Sequence, residues 1–224
     1  MGRPASERRQ ELIALYREAR GCTLCPLAEG RTQVVFGAGN ADADLMLVGE
    51  APGFHEDQQG TPFVGRAGKL LDELLAANGL GREEVFTANV LKCRPAGNRD
   101  PQPSEIETCR PYLHSQVALI EPRVICTLGN FATKLLTGSQ RGITQVHGQP
   151  QRHQIGSRSV VLYPLFHPAA ALRTPKVKDQ LAEDFGRLPA LLAESAPAES
   201  APAQGVAAAA PRADAEVEQL GLLD

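Results

Sequence analysis

The chain has 224 residues, 42% of them hydrophobic, enough to bury the core of one good-sized α/β domain with some chain to spare. No run approaches the roughly 18 apolar residues that a membrane span requires, and the charged N-terminus is unlike a secretory signal, so a cytoplasmic protein is expected. The formal net charge is -3, but residues 193–224 hold six acids against the single Arg212; that segment carries -5 and residues 1–192 carry +2, a balance that permits nucleic-acid binding without demanding it.

The opening MGRPASERRQELIALYREAR reads as an amphipathic helix. Cys22 and Cys25 follow as a C-x-x-C pair, with no strand before them of the kind a thioredoxin-like redox pair needs. Four short aliphatic runs, Asp44–Gly49, Val85–Val90, Arg123–Leu128 and Ser159–Leu165, predict buried strands. Helices are predicted over Arg66–Asn78, Pro103–Ile120, Asn130–Leu136 and about Lys178–Leu192, with Asn78-Gly79 as a stop and Ser104 with Glu107 as a capping box. Residues 193–224, rich in Ala, Pro and acids, cannot bury enough apolar surface to offset their ordering entropy and are expected to be disordered.

Strands alternating with helices argue for a parallel sheet covered on both faces, a fold class in which ligands bind beyond the carboxyl ends of the strands. The unusual residues collect there: Glu50 after the first strand, Asn89 at the end of the second, Gly129-Asn130 after the third and His167 after the fourth. The stretch GEAPGFHED, residues 49–57, crowds Glu50, Glu56, Asp57 and His55 into one bend, which suits a catalytic turn, a metal site or a plain polar loop. Cys93 and Cys109 stand apart from each other in sequence. In a cytosolic chain these two and the C-x-x-C pair favour metal over disulfides, with iron–sulfur and zinc both open on spacing and unligated thiols a third possibility. Cys126, inside the apolar VICTL, reads as core.

The segments CTLCPL, GEAPGFHEDQQGTPFVGRAGKLLDELL, NVLKCRPAGNRDPQPSEIETC and FHPAAALR together resemble the family-4 uracil-DNA glycosylases, in that family's order and over about residues 10–190. The resemblance implies a three-layer α/β/α sandwich around a four-stranded parallel sheet, formed by residues 1–192. It also implies a 4Fe–4S cluster on Cys22, Cys25, Cys93 and Cys109. The activity implied is monofunctional: uracil is flipped out of DNA and its N-glycosidic bond hydrolysed, leaving an abasic site for base-excision repair. By the same resemblance Asn89 reads the edge of uracil, Phe63 stacks on it and His167 donates to its O2. Glu50 and Ala51 place the water, Ala51 standing where related families carry an aspartate. Glu56 lies beside C5 and excludes thymine. Leu172 wedges into the duplex, while Arg94, Arg99 and Arg173 meet phosphates.

Some superfamily relatives trap DNA covalently through a histidine in an inserted basic loop. RPAGNRDPQPSE has neither insertion nor histidine, so turnover is expected. The closing Gln219–Leu223 resembles peptides that dock on bacterial sliding clamps, with an inert terminus as the alternative. The partners expected are therefore uracil-containing DNA and that clamp. A monomer is expected, associated with the nucleoid through DNA.

Overall fold

The computed structural model describes residues 4–156 and 158–195. The tail beyond residue 195, with its Gln219–Leu223 segment, lies outside the described residues. The strands are β1 (Ala38–Gly39), β2 (Leu45–Gly49), β3 (Phe86–Asn89), β4 (Val124–Leu128), β5 (Gln151–Ile155) and β6 (Arg158–Leu165). The helices are α1 (Ala5–Arg20), α2 (Leu27–Gly30), α3 (Phe54–Gln59), α4 (Arg66–Ala76), α5 (Pro103–Ile120), α6 (Asn130–Thr137), α7 (Ile143–Val146), α8 (Pro168–Ala171), α9 (Pro175–Phe185) and α10 (Leu188–Glu194).

The sheet has six strands in the order β1-β3-β2-β4-β6-β5. Its four central members are the four expected strands, all parallel, while β1 and β5 add antiparallel edges. The expected four-stranded sheet is thus corrected to a six-stranded mixed one. The edges left no apolar run to read: β1 is two residues long, and QRHQI of β5 buries only its last residue.

Each central strand feeds two cores, as the period of two requires. Met46 and Val48 face the side covered by α1 and α5, with Leu12, Leu113 and Val117. Leu45 and Leu47 face the other side, with Leu71 and Leu75 of α4 and Leu181 and Phe185 of α9. Cys126 is fully buried in that second core, in keeping with its apolar run.

Three local expectations are corrected. The capping box of α5 sits two residues earlier, where Glu105 Oε2 accepts from the Gln102 amide at 2.9 Å. Pro103, with φ already fixed, occupies the first helical position behind it. The single C-terminal helix is two, because α9 stops at Gly186 and Pro189 opens α10. Residues 54–59 are not merely a bend but the short helix α3, closed by Gly60 at φ 72°.

Leu71 lies fully buried between α4 and the sheet. Leu71→Ala should lower unfolding stability by about 2–5 kcal/mol through lost burial and the cavity left behind, read from the midpoint of a urea melt.

Candidate active site

A cavity of about 440 Å³ opens beyond the carboxyl ends of β2, β3 and β6. Glu50 and Ala51 enter from the end of β2, Asn89 from β3, His167 from two residues beyond β6, and Phe63 from the loop before α4.

Gly49 permits this convergence. A Cβ there would stand 2.5 Å from Asn89 Oδ1 and 2.7 Å from Phe63 Cζ, closer than real contacts allow. Phe63 itself has φ 56°, a left-handed conformation that costs an aromatic residue about 1–3 kcal/mol. Several contacts hold it there. Its carbonyl packs on Gly68, where any Cβ would collide at 1.6 Å. Arg82 donates to the Pro62 carbonyl at 2.8 Å and lies 5.9 Å over the Phe63 ring. Glu56 Oε1 accepts from the amides of Val64 at 3.1 Å and Gly65 at 3.0 Å, putting a carboxylate at the N-terminus of α4, where the helix dipole favours it.

Asn89 is only 3% exposed. Its side chain bonds to no other protein group among the described residues, and its amide faces the cavity. The Asn89 backbone is firmly tied. It registers with Gly49 across the sheet, and its carbonyl accepts from Lys92 Nζ at 2.8 Å. That ammonium, fully buried, also donates to Gln116 Oε1 at 2.6 Å, and Gln116 donates in turn to the Phe36 carbonyl at 2.8 Å.

His167 precedes α8, and its Nδ1 accepts from the Ala169 amide at 3.1 Å. An accepting Nδ1 cannot carry the proton, so the neutral ring is the Nε2–H tautomer. Enclosure by protein lowers its pKa to about 4, against a small opposing pull from Glu56, although part of its surface opens on the cavity. The ring lies nearly parallel to Phe63, with centroids 6.1 Å apart. Glu50 is displaced the other way: burial first, then repulsion from Asp100, raises its carboxyl to about 7. Its backbone carbonyl already accepts from Leu91 N at 3.0 Å.

The acids of GEAPGFHED do not form a cage. Asp57 is buried and accepts from the Thr32 amide at 3.0 Å, while Glu56 is engaged with residues 64 and 65. Among the described residues no three His, Cys, Asp or Glu side chains converge as a single metal ion needs. Arg99 and Arg173 line the cavity, but Arg99 is forked onto Glu105 at 2.9 and 2.5 Å, so its charge is largely matched within the protein. Arg94 and Leu172 lie just outside the lining; Arg94 is held by Asn98 at 2.7 Å and Leu172 is 38% exposed.

Cys22, Cys25, Cys93 and Cys109 line a second, small cavity with Arg31, Lys92 and Tyr112. All are free thiols. Arg31 Nη1 reaches Cys93 Sγ at 3.4 Å and the Lys92 amide reaches Cys109 Sγ at 3.3 Å. Burial raises the Cys109 thiol to about 11, with Lys92 opposing. Four sulfurs thus surround a space without meeting at a point.

Sequence reasoning missed Gly49, Lys92, Gln116 and the Asp57 latch. Only Lys92 left a signal: a lysine within the apolar NVLKC is badly placed unless its charge is used.

A profile of the uracil DNA glycosylase superfamily matches residues 36–186. The chain is 42% identical over 182 residues to a type-4 uracil-DNA glycosylase of Sulfurisphaera tokodaii, spanning 79% of this chain and 83% of that protein. It is 41% identical over 192 residues to the type-4 enzyme of Archaeoglobus fulgidus, spanning 84% and 96%. With the Thermotoga maritima type-4 enzyme the identity is 46% over 167 residues, spanning 74% and 85%. The chain belongs to the type-4 branch of the uracil DNA glycosylase superfamily.

The raised Glu50 carboxyl makes a testable contribution to stability. Folding takes up a proton between the unfolded value of 4.5 and about 7, so the burden on the fold is absent below pH 4.5 and complete above pH 7. Glu50→Gln should therefore raise the melting temperature at pH 8 by more than at pH 4, measured by differential scanning calorimetry.

Proposed function

We propose that the protein excises uracil from DNA, hydrolysing the bond between N1 of the base and C1′ of deoxyribose and leaving an abasic site for base-excision repair. The observation that carries this reading is Asn89: a nearly buried side-chain amide, unpartnered by protein and facing a cavity shared with Phe63 and His167. An amide of this kind takes its partners from what fills the cavity, and a ligand of complementary polarity satisfies both its oxygen and its NH2.

A base must leave the helix stack to reach such a site. Phe63 stacks on the extruded base. The Asn89 oxygen accepts from uracil N3–H and its NH2 donates to O4. Cytosine presents the reverse pattern and leaves buried groups unpaired, at about 1–3 kcal/mol each. Glu56 holds the 64–65 turn beside the base, and the wall it builds leaves no room for the thymine methyl.

As the glycosidic bond breaks, its electron pair passes to the base and positive charge grows on the sugar. His167 Nε2–H donates to uracil O2, stabilising charge that develops in the transition state. At working pH the ring is neutral, with the proton on Nε2 and Nδ1 engaged by the Ala169 amide, so the donor is an imidazole N–H. Water attacks C1′. The groups that place that water are the backbone carbonyls of Glu50 and Ala51 and the Glu50 carboxyl, which near neutrality can also accept its proton. The departing base takes a proton at N1, so the products are uracil and an abasic site.

The residues around the second cavity fit an iron–sulfur cluster. Cys22, Cys25, Cys93 and Cys109 would hold it, and Arg31 and the Lys92 amide already reach two of the sulfurs. Bound there, a 4Fe–4S group supplies folding energy and anchors the Arg94–Arg99 loop, and no electron is needed for hydrolysis. Arg94 and Arg173 meet phosphates, while Arg99 stays paired with Glu105, and Leu172 fills the gap left by the extruded base. One chain carries every residue named, so a monomer suffices, working at the nucleoid. Gln219–Leu223 would tether it to a sliding clamp.

Incubation with a uracil-containing oligonucleotide followed by alkali should cut the strand at the uracil, and an uncut strand would overturn the reading. His167→Ala should lower kcat by about 10²–10³-fold with little change in KM, the pattern of a donor used in the transition state. Cys93→Ala should lose the brown colour and bound iron, measured by absorbance and iron content.

A further inference from the structure

When a nucleotide is extruded, the bases on either side lose a stacking partner. The structure offers two exposed apolar side chains beside the cavity, on different loops. Leu172 follows the lining residues Ala169 and Ala170, and Phe54 follows the lining residue Gly53. Phe54 is 53% exposed, a large aromatic surface to leave in water.

Its surroundings hold the ring in place. Arg94 lies 5.1 Å over the Phe54 ring centroid, and its Nε is fixed on Asn98 Oδ1 at 2.7 Å. The His55 ring meets Phe54 edge-on, with centroids 5.5 Å apart. Asn98 and Pro95, neighbours of Arg94 in the same loop, line the cavity. An aromatic face backed by a weakly hydrated guanidinium is suited to a nucleobase, with the arginine charge near its phosphate.

We propose that Phe54, backed by Arg94, is a stacking platform for a base flanking the extruded uracil. It replaces stacking that extrusion removes, without regard to which base is present, since every base has a π-face. Resting on the uracil-excision reading, the proposal adds a base-stacking contact to the DNA strand outside the base pocket. If that reading were wrong, the wild-type protein would fail to cut a uracil strand at all, an outcome separate from the one tested here.

The test uses the full chain with its metal and a fluorescent single strand carrying 2′-fluoro-2′-deoxyuridine, whose electron-poor sugar resists cleavage. Dissociation constants are read by anisotropy for wild type, Phe54→Ala and Phe54→Tyr. Phe54→Ala should weaken binding about 10-fold, and Phe54→Tyr by less than about twofold, as expected for one base–aromatic stack. With abasic spacers on both sides of the uracil analogue, wild type and Phe54→Ala should bind alike. Unchanged affinity in Phe54→Ala, an equal loss in Phe54→Tyr, or a loss that persists with the spacers would each overturn the proposal.

Discussion

The whole cavity depends on how closely Asn89 and Phe63 approach the α-carbon of Gly49. The parallel pairing of β2 with β3 sets Gly49 opposite Asn89, and only a residue without Cβ leaves space for the amide and the aromatic edge together. The strained Phe63 backbone follows from that packing, because the ring must reach back across the loop towards the strand end. Gly68, Arg82 and Glu56 then hold a conformation that the loop alone would not keep. Strain at a residue fixed by three independent elements is pre-organisation: its cost is met on folding and does not recur when a ligand arrives.

Much of the fold could be read from the chain because its central strands are buried on both faces and therefore appear as unbroken apolar runs. LMLVG and VICTL announce themselves in this way. The edge strands could not be read: β5 is half-solvated and polar, and β1 has only two residues. The bounds of α5 match the expected Pro103–Ile120, but its capping box does not, because Glu105 and Glu107 both lie near the helix start and look alike in sequence. Only the fork of Arg99 onto Glu105 shows which one is buried and engaged. The same pairing changes the meaning of Arg99, whose charge reads as free in the sequence and is matched in the fold.

Within the site, legibility divides along similar lines. Residues that end strands, such as Asn89 and His167, stand out because they are polar where an apolar run stops. Supporting groups are silent, since a glycine or a glutamine shows its purpose only through what approaches it. GEAPGFHED illustrates both cases. Its three acids look alike in sequence but have separate tasks: Glu50 faces the cavity, Glu56 caps the turn before α4, and Asp57 pins the loop at Thr32. Ala51, the uncharged member, lines the cavity between them.

Lys92 connects the two cavities. An ammonium removed from water is costly unless its charge is answered, and here burial lowers its pKa to about 8. Its contacts are a carbonyl, an amide oxygen and, at 6.0 Å, the face of Phe36, all neutral. The sulfurs of Cys109 and Cys93, where ionised, oppose its loss of charge. On the cluster reading those thiolates are permanently ionised, and the ammonium and the sulfurs neutralise each other across the second cavity. The same ammonium donates to the Asn89 carbonyl, so the charge beside the cysteines also fixes the strand end that carries the cavity-facing amide. The two cavities thus share one buried cation, which gives a physical reason for the four thiols to bear on the shape of the cavity at the strand ends.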